Sequence, residues 1–396
     1  MKLLLFFLFW SSLLLVVYTY IGYGILLRLL LGIKRLFNKP ALPLGFAANN
    51  MPAVTLLVAA YNEADCIVQK IENSLALDYP ANRLKLLFVT DGSTDETPDI
   101  ISRYTQIQLL HTAARSGKIA AVHRSMAYVT TPYVVFTDAN TLLNPDAIQQ
   151  MIRHYSNPKV GAVAGEKRVQ SEAADSASGA GEGFYWRYES ALKKWDSELY
   201  SVVGAAGELF SIRTDLYESV PPDTIIEDFY MTLRIAQRGY RVIYEPLACA
   251  TELPSASSGE ELKRKIRIAA GGWQAISRLL PLLNVFKYGT LSFQYISHRV
   301  LRWTITPLAL VLTFLLNIPL AYFVGSIYTW LFIAQIIFYT LAFMGYLLEQ
   351  KKVKIKVFFI PFYFVMMNYA VFAGFVRYLG GKQSVVWEKA KRRENN

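Results

Sequence analysis

Three stretches without a single charged side chain constrain this chain more than any other feature. Leu3 to Leu27 is uncharged for 25 residues, and a helix needs only about 20 to cross a hydrocarbon core of about 30 Å. That run reads as a retained anchor, because the apolar part of a cleaved signal peptide is only about 7–15 residues long. Thr304 to Leu348 is uncharged for 45 residues, about 67 Å as helix and therefore two crossings. Gly325 and Ser326 near its midpoint predict the hairpin. Val357 to Val376 adds 20 uncharged residues, enough for one more crossing, with Pro361 as a predicted kink.

Composition narrows the rest. At 53% hydrophobic and 18% charged over 396 residues, the chain can bury enough apolar surface to fold, which excludes disorder. Cys66 and Cys249 are its only cysteines, too few for a disulfide scaffold. The formal net charge of +11 would suit a nucleic-acid partner, but charge argues about partners only once it is located. Residues 40–259 hold 18 basic and 25 acidic side chains, and the remainder 23 basic and 5 acidic. The positive charge thus flanks the apolar runs, which indicates membrane lipids and no nucleic acid as partner.

Between the spans, apolar runs alternate with amphipathic stretches: 54–60, then a helical period over 64–77; 86–90, then 95–105; 107–111, then 118–129; then 133–137. This alternation predicts an α/β, Rossmann-like domain with a parallel sheet covered on both faces. Ligands in such sheets bind beyond the carboxyl ends of the strands, and the polar clusters fall there. Ala60-Tyr61-Asn62-Glu63-Ala64-Asp65 follows the first strand, where Asn62 or Asp65 could equally cap a helix. Thr90-Asp91-Gly92-Ser93-Thr94-Asp95-Glu96-Thr97 follows the second; helix capping accounts for its later residues but not for Asp91 ahead of a glycine. Thr137-Asp138-Ala139-Asn140 follows the fourth. Oxygen-bearing side chains at i and i+2 of an extended segment point the same way, so Asp138 and Asn140 can face one Mg²⁺ or Mn²⁺. A turn-forming Asp-x-Asn is the plainer account.

In order and spacing these clusters, with SGKIAAVHRSM, Gly204, IIEDFYMTLRIAQRGY and RKIRIAAGGWQ, resemble the family 2 glycosyltransferases over about residues 52–275. The flanking spans resemble the polysaccharide-synthase branch with the cellulose, chitin-oligosaccharide and hyaluronan synthases. The resemblance implies a GT-A catalytic domain over 40–260, after an anchor over 1–33. It implies that Tyr61, Glu63 and Asp91 hold the nucleoside of a nucleotide-sugar donor, that Lys118 approaches its diphosphate, and that Asp138 and Asn140 bind a divalent cation, Mg²⁺ or Mn²⁺. Gly204 would line the acceptor. The family commonly has Asp-x-Asp at the cation site, so Asn140 implies weaker or water-mediated binding. His123, where the family often has Asn, reads as a local variation.

Inverting transfer needs a carboxylate to take the acceptor proton while the leaving diphosphate is neutralised. By resemblance to the family's acidic pair, Asp228 is that base and Glu227 its support; the alternative is two acids at a helix N-terminus. Adjacent residues on a helix point about 100° apart, so both cannot meet one hydroxyl. Arg264 and Arg267, at i and i+3, could face two phosphate oxygens. The processive pattern Gln-x-x-Arg-Trp here carries Arg264 for Gln and Ile268 for Trp, which leaves processivity open; a basic interfacial helix over 261–303 is the other reading of this stretch. Residues 171–183 read as a loop, and Phe184, Tyr185, Trp186 and Trp195 as belt, packing or sugar-stacking aromatics.

The function expected is a multi-pass plasma- or inner-membrane glycosyltransferase, its catalytic domain cytoplasmic, transferring from a UDP-sugar to a polysaccharide or lipid-linked acceptor, alongside export or synthase-complex partners. The alternatives are a single-sugar transferase acting on polyprenyl phosphate and a non-catalytic scaffold. Lys34, Arg35, Lys351 and Lys352 support the orientation. Three spans over 304–378 would, however, put the basic tail 379–396 outside unless the Pro361 segment is re-entrant or interfacial.

Overall fold

Along β1 (Val54–Ala60), β2 (Leu84–Asp91) and β4 (Tyr133–Asp138), successive side chains enter two different cores. Leu57, Leu87, Val89, Val134 and Phe136 face one; Leu56, Val58, Phe88 and Val135 face the other. This is the two-residue period of a strand buried on both faces, and it explains why these runs are apolar throughout. The computed structural model describes residues 2–37, 45–47, 50–170, 177–255, 257–351, 353 and 355–381.

β1 pairs in parallel with β2 and β4, and β2 with β3 (Ile107–Thr112). The expected all-parallel sheet ends there. β7 (Leu209–Arg213) runs antiparallel to both β4 and β6 (Val160–Val169). β8 (Arg241–Glu252) pairs in parallel with β6 and antiparallel with the short β5 (Thr141–Leu143). The eight strands lie in the order β3-β2-β1-β4-β7-β6-β8-β5. Because the chain leaves β1 to one side for β2 and β3 and returns on the other as β4, a crevice opens at their carboxyl ends. The three polar clusters of the sequence sit at that crevice.

The expected helices form with trimmed ends: Ile67–Leu75, Thr97–Ser102, Lys118–Met126 and Glu227–Gln237. One stretch read as loop is helical. A helix over Ala177–Leu199 takes in residues 177–183; 171–176, and the side chains of Phe184 and Tyr185, lie outside the described residues, as do 38–44 and the tail from 382.

The anchor is longer than its charge-free run. Lys2–Phe37 is a single helix of about 54 Å, with a π-type turn over Tyr18–Gly22. Its first half packs on the hairpin formed by Ile305–Phe323 and Ile327–Gln350: Phe9 meets the Tyr328 ring edge-on at 5.5 Å, and Trp10 Nε1 donates to the Tyr328 hydroxyl at 3.1 Å. Its outward apolar side chains, such as Leu3 at 83% and Phe7 at 68% exposed, suit contact with hydrocarbon. The second half holds the α/β domain. Lys34 Nζ donates to the carbonyls of Glu198 and Leu199 at 2.6 and 2.8 Å, capping the Ala177–Leu199 helix with positive charge.

A buried ionic cluster joins these parts. Glu189 accepts from Arg299 Nη2 at 2.7 Å and Arg302 Nη1 at 2.8 Å. Asp196 meets His298 Nδ1 at 2.6 Å and accepts from the Tyr23 hydroxyl. Burying such charges is costly unless every one is matched, so anchor, Ala177–Leu199 helix and residues 290–303 are held as one unit.

Candidate active site

The loops after β1 and β2 brace each other. Asn62, at φ 53°, accepts from Thr94 N at 2.8 Å and donates from Nδ2 to Thr94 Oγ1 at 3.2 Å. Asp95 accepts from Ala64 N at 3.1 Å and Thr97 N at 3.0 Å. Most of the second polar cluster is therefore spent on fixing the loops, and Tyr61, Glu63 and Asp91 are left lining the cleft. Glu63 is buried and accepts from Cys66 Sγ at 3.2 Å.

Asp91 has a role that the sequence did not reveal. Its Oδ2 accepts from Ser116 N at 2.7 Å and Gly117 N at 2.6 Å. A β-carbon on Gly92, at φ +68°, would lie 2.5 Å from Arg115 Cβ, so glycine there admits the 115–117 loop rather than a ligand. That loop sets the Arg115 guanidinium 3.7 Å above the Tyr61 ring and delivers Lys118 at the start of the next helix.

The Lys118 ammonium bridges Asp138 Oδ1 at 2.8 Å and Glu227 Oε1 at 2.9 Å. Burial lowers its proton affinity, but the two carboxylates more than reverse this. Asp138 and Asn140 line the same cleft, but β4 ends at Asp138 and Ala139-Asn140 is a turn, so it is the turn and not the two-residue period of an extended segment that brings Asn140 to the cleft. One carboxylate and one amide oxygen at a strand end form a hard donor set, suited to a partly hydrated divalent cation that also meets substrate oxygens. Beneath them lies Lys70, which the sequence reading missed. It is fully buried and donates to Thr137 Oγ1 at 3.1 Å and to the Thr141 carbonyl at 2.7 Å, pinning both ends of the Asp138-Ala139-Asn140 turn. Its signal was its place on the apolar face with Ile67 and Ile71.

Glu227 and Asp228 open the Glu227–Gln237 helix and diverge, as adjacent helical residues must. Burial opposes ionisation of Glu227, yet Lys118 and then Arg267 hold its carboxyl below the ordinary carboxylate range. Asp228 goes the other way. Burial, then the charges of Glu227 and Glu208, push it up to about 7 against the opposing pull of Lys118. The opposite shifts leave Asp228 the better proton acceptor of the two, while Glu227 stays ionised against Lys118. A β-carbon on Gly207 would lie 3.5 Å from Lys118 Nζ and 3.6 Å from Asp228 Oδ2, so the backbone before β7 closes this side of the site.

Gly204 is at φ +85°, and a β-carbon there would lie 2.1 Å from Phe229 Cδ2. Gly204→Ala should cost on the order of 3 kcal/mol from strain and overpacking. Thermal unfolding of the purified protein would show it; an unchanged midpoint would refute the packing argument.

Arg264 and Arg267 part company. Arg264 Nε and Nη2 each donate to Glu261 at 3.0 Å, and Nη1 lies 3.7 Å from Glu208; Arg267 lies near Glu227. Of residues 263–267 only Lys263 is exposed, so the basic stretch expected at an interface turns inward. Trp273 packs against Phe375 with the rings tilted by 39° and 4.4 Å between centroids, and Arg28 lies over Trp195 at 5.6 Å.

The family model for glycosyl transferase family 2 matches residues 55–220, which hold the sheet core and the Lys118–Asp138 pair. The chain carries a family 2 glycosyltransferase domain. It is similar to the poly-beta-1,6-N-acetyl-D-glucosamine synthases of Staphylococcus aureus strain MSSA476, at 28% identity over 238 residues, and of Staphylococcus epidermidis, at 25% over 233 residues. The matches cover 58% and 57% of this chain, and 57% and 56% of those relatives, so the chain spans little more than half the length of the curated relatives it matches. Among solved structures, a mannosyltransferase from Pyrobaculum calidifontis, in complex with GDP-Man and Mn²⁺, superimposes with a TM-score of 0.69 at 24% identity over 95% of this chain and 100% of that one. That likeness places the glycosyltransferase domain in the GT-A fold, with apolar helices at both ends.

Proposed function

We propose that the protein is a membrane-anchored, inverting glycosyltransferase that moves a sugar from a UDP-sugar to a polysaccharide or lipid-linked saccharide acceptor. The observation that carries this reading is the setting of Asp228, partly buried at the start of its helix next to the Glu227–Lys118–Asp138 bridge, whose Lys118 and Asp138 line the cleft at the sheet's switch point. Tyr61, Glu63 and Asp91 hold the nucleoside, and Arg267 and Lys118 meet the diphosphate. Asp138 and Asn140 would hold Mg²⁺ or Mn²⁺, which when bound neutralises the diphosphate. In the transfer, the acceptor hydroxyl gives its proton to Asp228 as its oxygen bonds to the anomeric carbon. The carbon–oxygen bond to the diphosphate breaks on the opposite face, and its electron pair leaves with the nucleotide. Gly204 packs under this helix and shapes the acceptor side. The staphylococcal relatives favour a polymer product over a single addition to polyprenyl phosphate. Membranes holding the full chain should transfer label from one member of a radiolabelled nucleotide-sugar panel, more strongly with Mn²⁺, and build chains; a single sugar per acceptor would sink the polymer reading, and no transfer the whole assignment.

Packing supports one membrane arrangement. Lys356–Leu379 is one continuous helix through Pro361, but it lies along the charged Ser258–Arg278 helix. A β-carbon on Gly374 would lie 2.6 Å from Ala269 Cβ, and the Tyr378 hydroxyl donates to Ser277 at 3.1 Å. Spanning would carry the charged turns over Glu260–Arg267 toward hydrocarbon, where a charge at a helix centre costs about 2.5–3.5 kcal/mol unless it is paired. We therefore place this helix at the cytoplasmic interface, leaving three crossings and the basic tail on the catalytic side. A C-terminal tag should be protected from external protease in intact cells; its cleavage would restore four crossings.

A further inference from the structure

We infer that Glu208 is a positioning residue, a partly buried negative charge fixed by Lys167 and Arg264 that tunes Asp228 as the base; this rests on the reading of Asp228 given above. Glu208 follows Gly207, whose backbone abuts Asp228, and its own carbonyl accepts from Thr137 Oγ1 at 2.9 Å. Its carboxylate is held from behind by Lys167 Nζ at 2.5 Å, from β6, and by Arg264 Nη1 at 3.7 Å, from the Ser258–Arg278 helix. These cations are shared. Lys167 also pairs with Glu252, and Arg264 with Glu261, which in turn meets Lys265 at 3.4 Å. Three carboxylates and three cations thus form a buried network with one charged end beside the base.

Among the described residues, the charged groups that act most strongly on Asp228 are Glu227 on its own helix, Lys118 from the helix after β3, and Glu208. Lys118 quenches Glu227 and Asp138, and the diphosphate of a bound donor would draw that ammonium away. Glu208 differs because its partners belong to the network and not to the substrate. Its charge persists through the cycle, and partial burial limits its screening by water. Arg264, which the sequence offered as a phosphate ligand, acts here on the base through Glu208.

The network's redundancy makes the test feasible: in Glu208→Gln, Lys167 keeps Glu252 and Arg264 keeps Glu261. The measurement is kcat/KM for the donor against pH in membranes holding the full chain. Glu208→Gln should move the acid limb down and Arg264→Met should move it up, each by on the order of one pH unit, while Arg264→Lys restores the wild-type limb. A purely structural role would lower the rate at all pH and leave the limb in place, which would overturn the inference. So would a raised donor KM in Arg264→Met with an unmoved limb, since Arg264 would then act on the diphosphate. Failure of the underlying reading is distinguishable, because it would appear as full turnover in Asp228→Asn, whatever Glu208 does.

Discussion

Asp228→Asn should reduce turnover by about 10²–10⁴-fold while leaving donor affinity within a few-fold of wild type. The amide keeps the shape of the carboxylate but cannot accept the acceptor's proton. Lys118, which faces Glu227 and Asp138, stays in place for the diphosphate. Isothermal titration with the donor and single-turnover transfer separate the two effects, and a loss of donor binding equal to the loss of rate would defeat the assignment. In the unsubstituted protein the sign with pH is fixed by chemistry: the base works ionised. Because burial and two like charges push Asp228 up to about 7, kcat/KM should rise with pH through about 7 and fall tenfold per unit well below it. A profile flat from pH 5 to 8 would mean that another group takes the proton.

Asp138→Ala should remove several kcal/mol of stabilisation from the leaving diphosphate, on the order of 10³-fold in kcat/KM. It also strips Lys118 of one of its two carboxylates. The informative measurement is donor binding with and without Mn²⁺. The native protein should bind donor more tightly with the cation, and the variant should bind equally with or without it. A cation effect that survived in Asp138→Ala would move the cation site elsewhere, and the Asp138–Asn140 pairing would have to be abandoned. Lys70 bears on the same result. A lysine buried under the turn raises the cost of any variant that loosens it, so Asp138→Asn, which keeps the side-chain volume, is the better control for folding.

Much of this was legible in the sequence because it is local. The two-residue period of β1, β2 and β4 and the polar residues at their ends are set within a few positions, so the sheet core, the cleft and the residues lining it could be located without a structure. The glycine after Asp91 was equally visible, but its purpose was not. What comes close to Gly92 is Arg115, 23 residues away, and no periodicity links the two. The 177–183 segment shows the reverse failure. Its glycines and serines argue for loop, yet it continues into the Ala177–Leu199 helix, whose later turns are fixed by Glu189 and Asp196 in the buried ionic cluster.

By itself, then, the sequence located the apolar helices long enough to cross a membrane and the polar loops at the strand ends, since hydropathy and strand ends are properties of contiguous residues. Only the tertiary structure decided which charge answers which. Arg264 is paired with Glu208 and Glu261, Lys118 is shared between two strand- and helix-end carboxylates, and the last apolar helix is laid against charged Ser258–Arg278. Each of these pairings joins separate elements or distant segments, and a buried charge takes the partner that the fold brings within about 4 Å, because no water remains to solvate it otherwise.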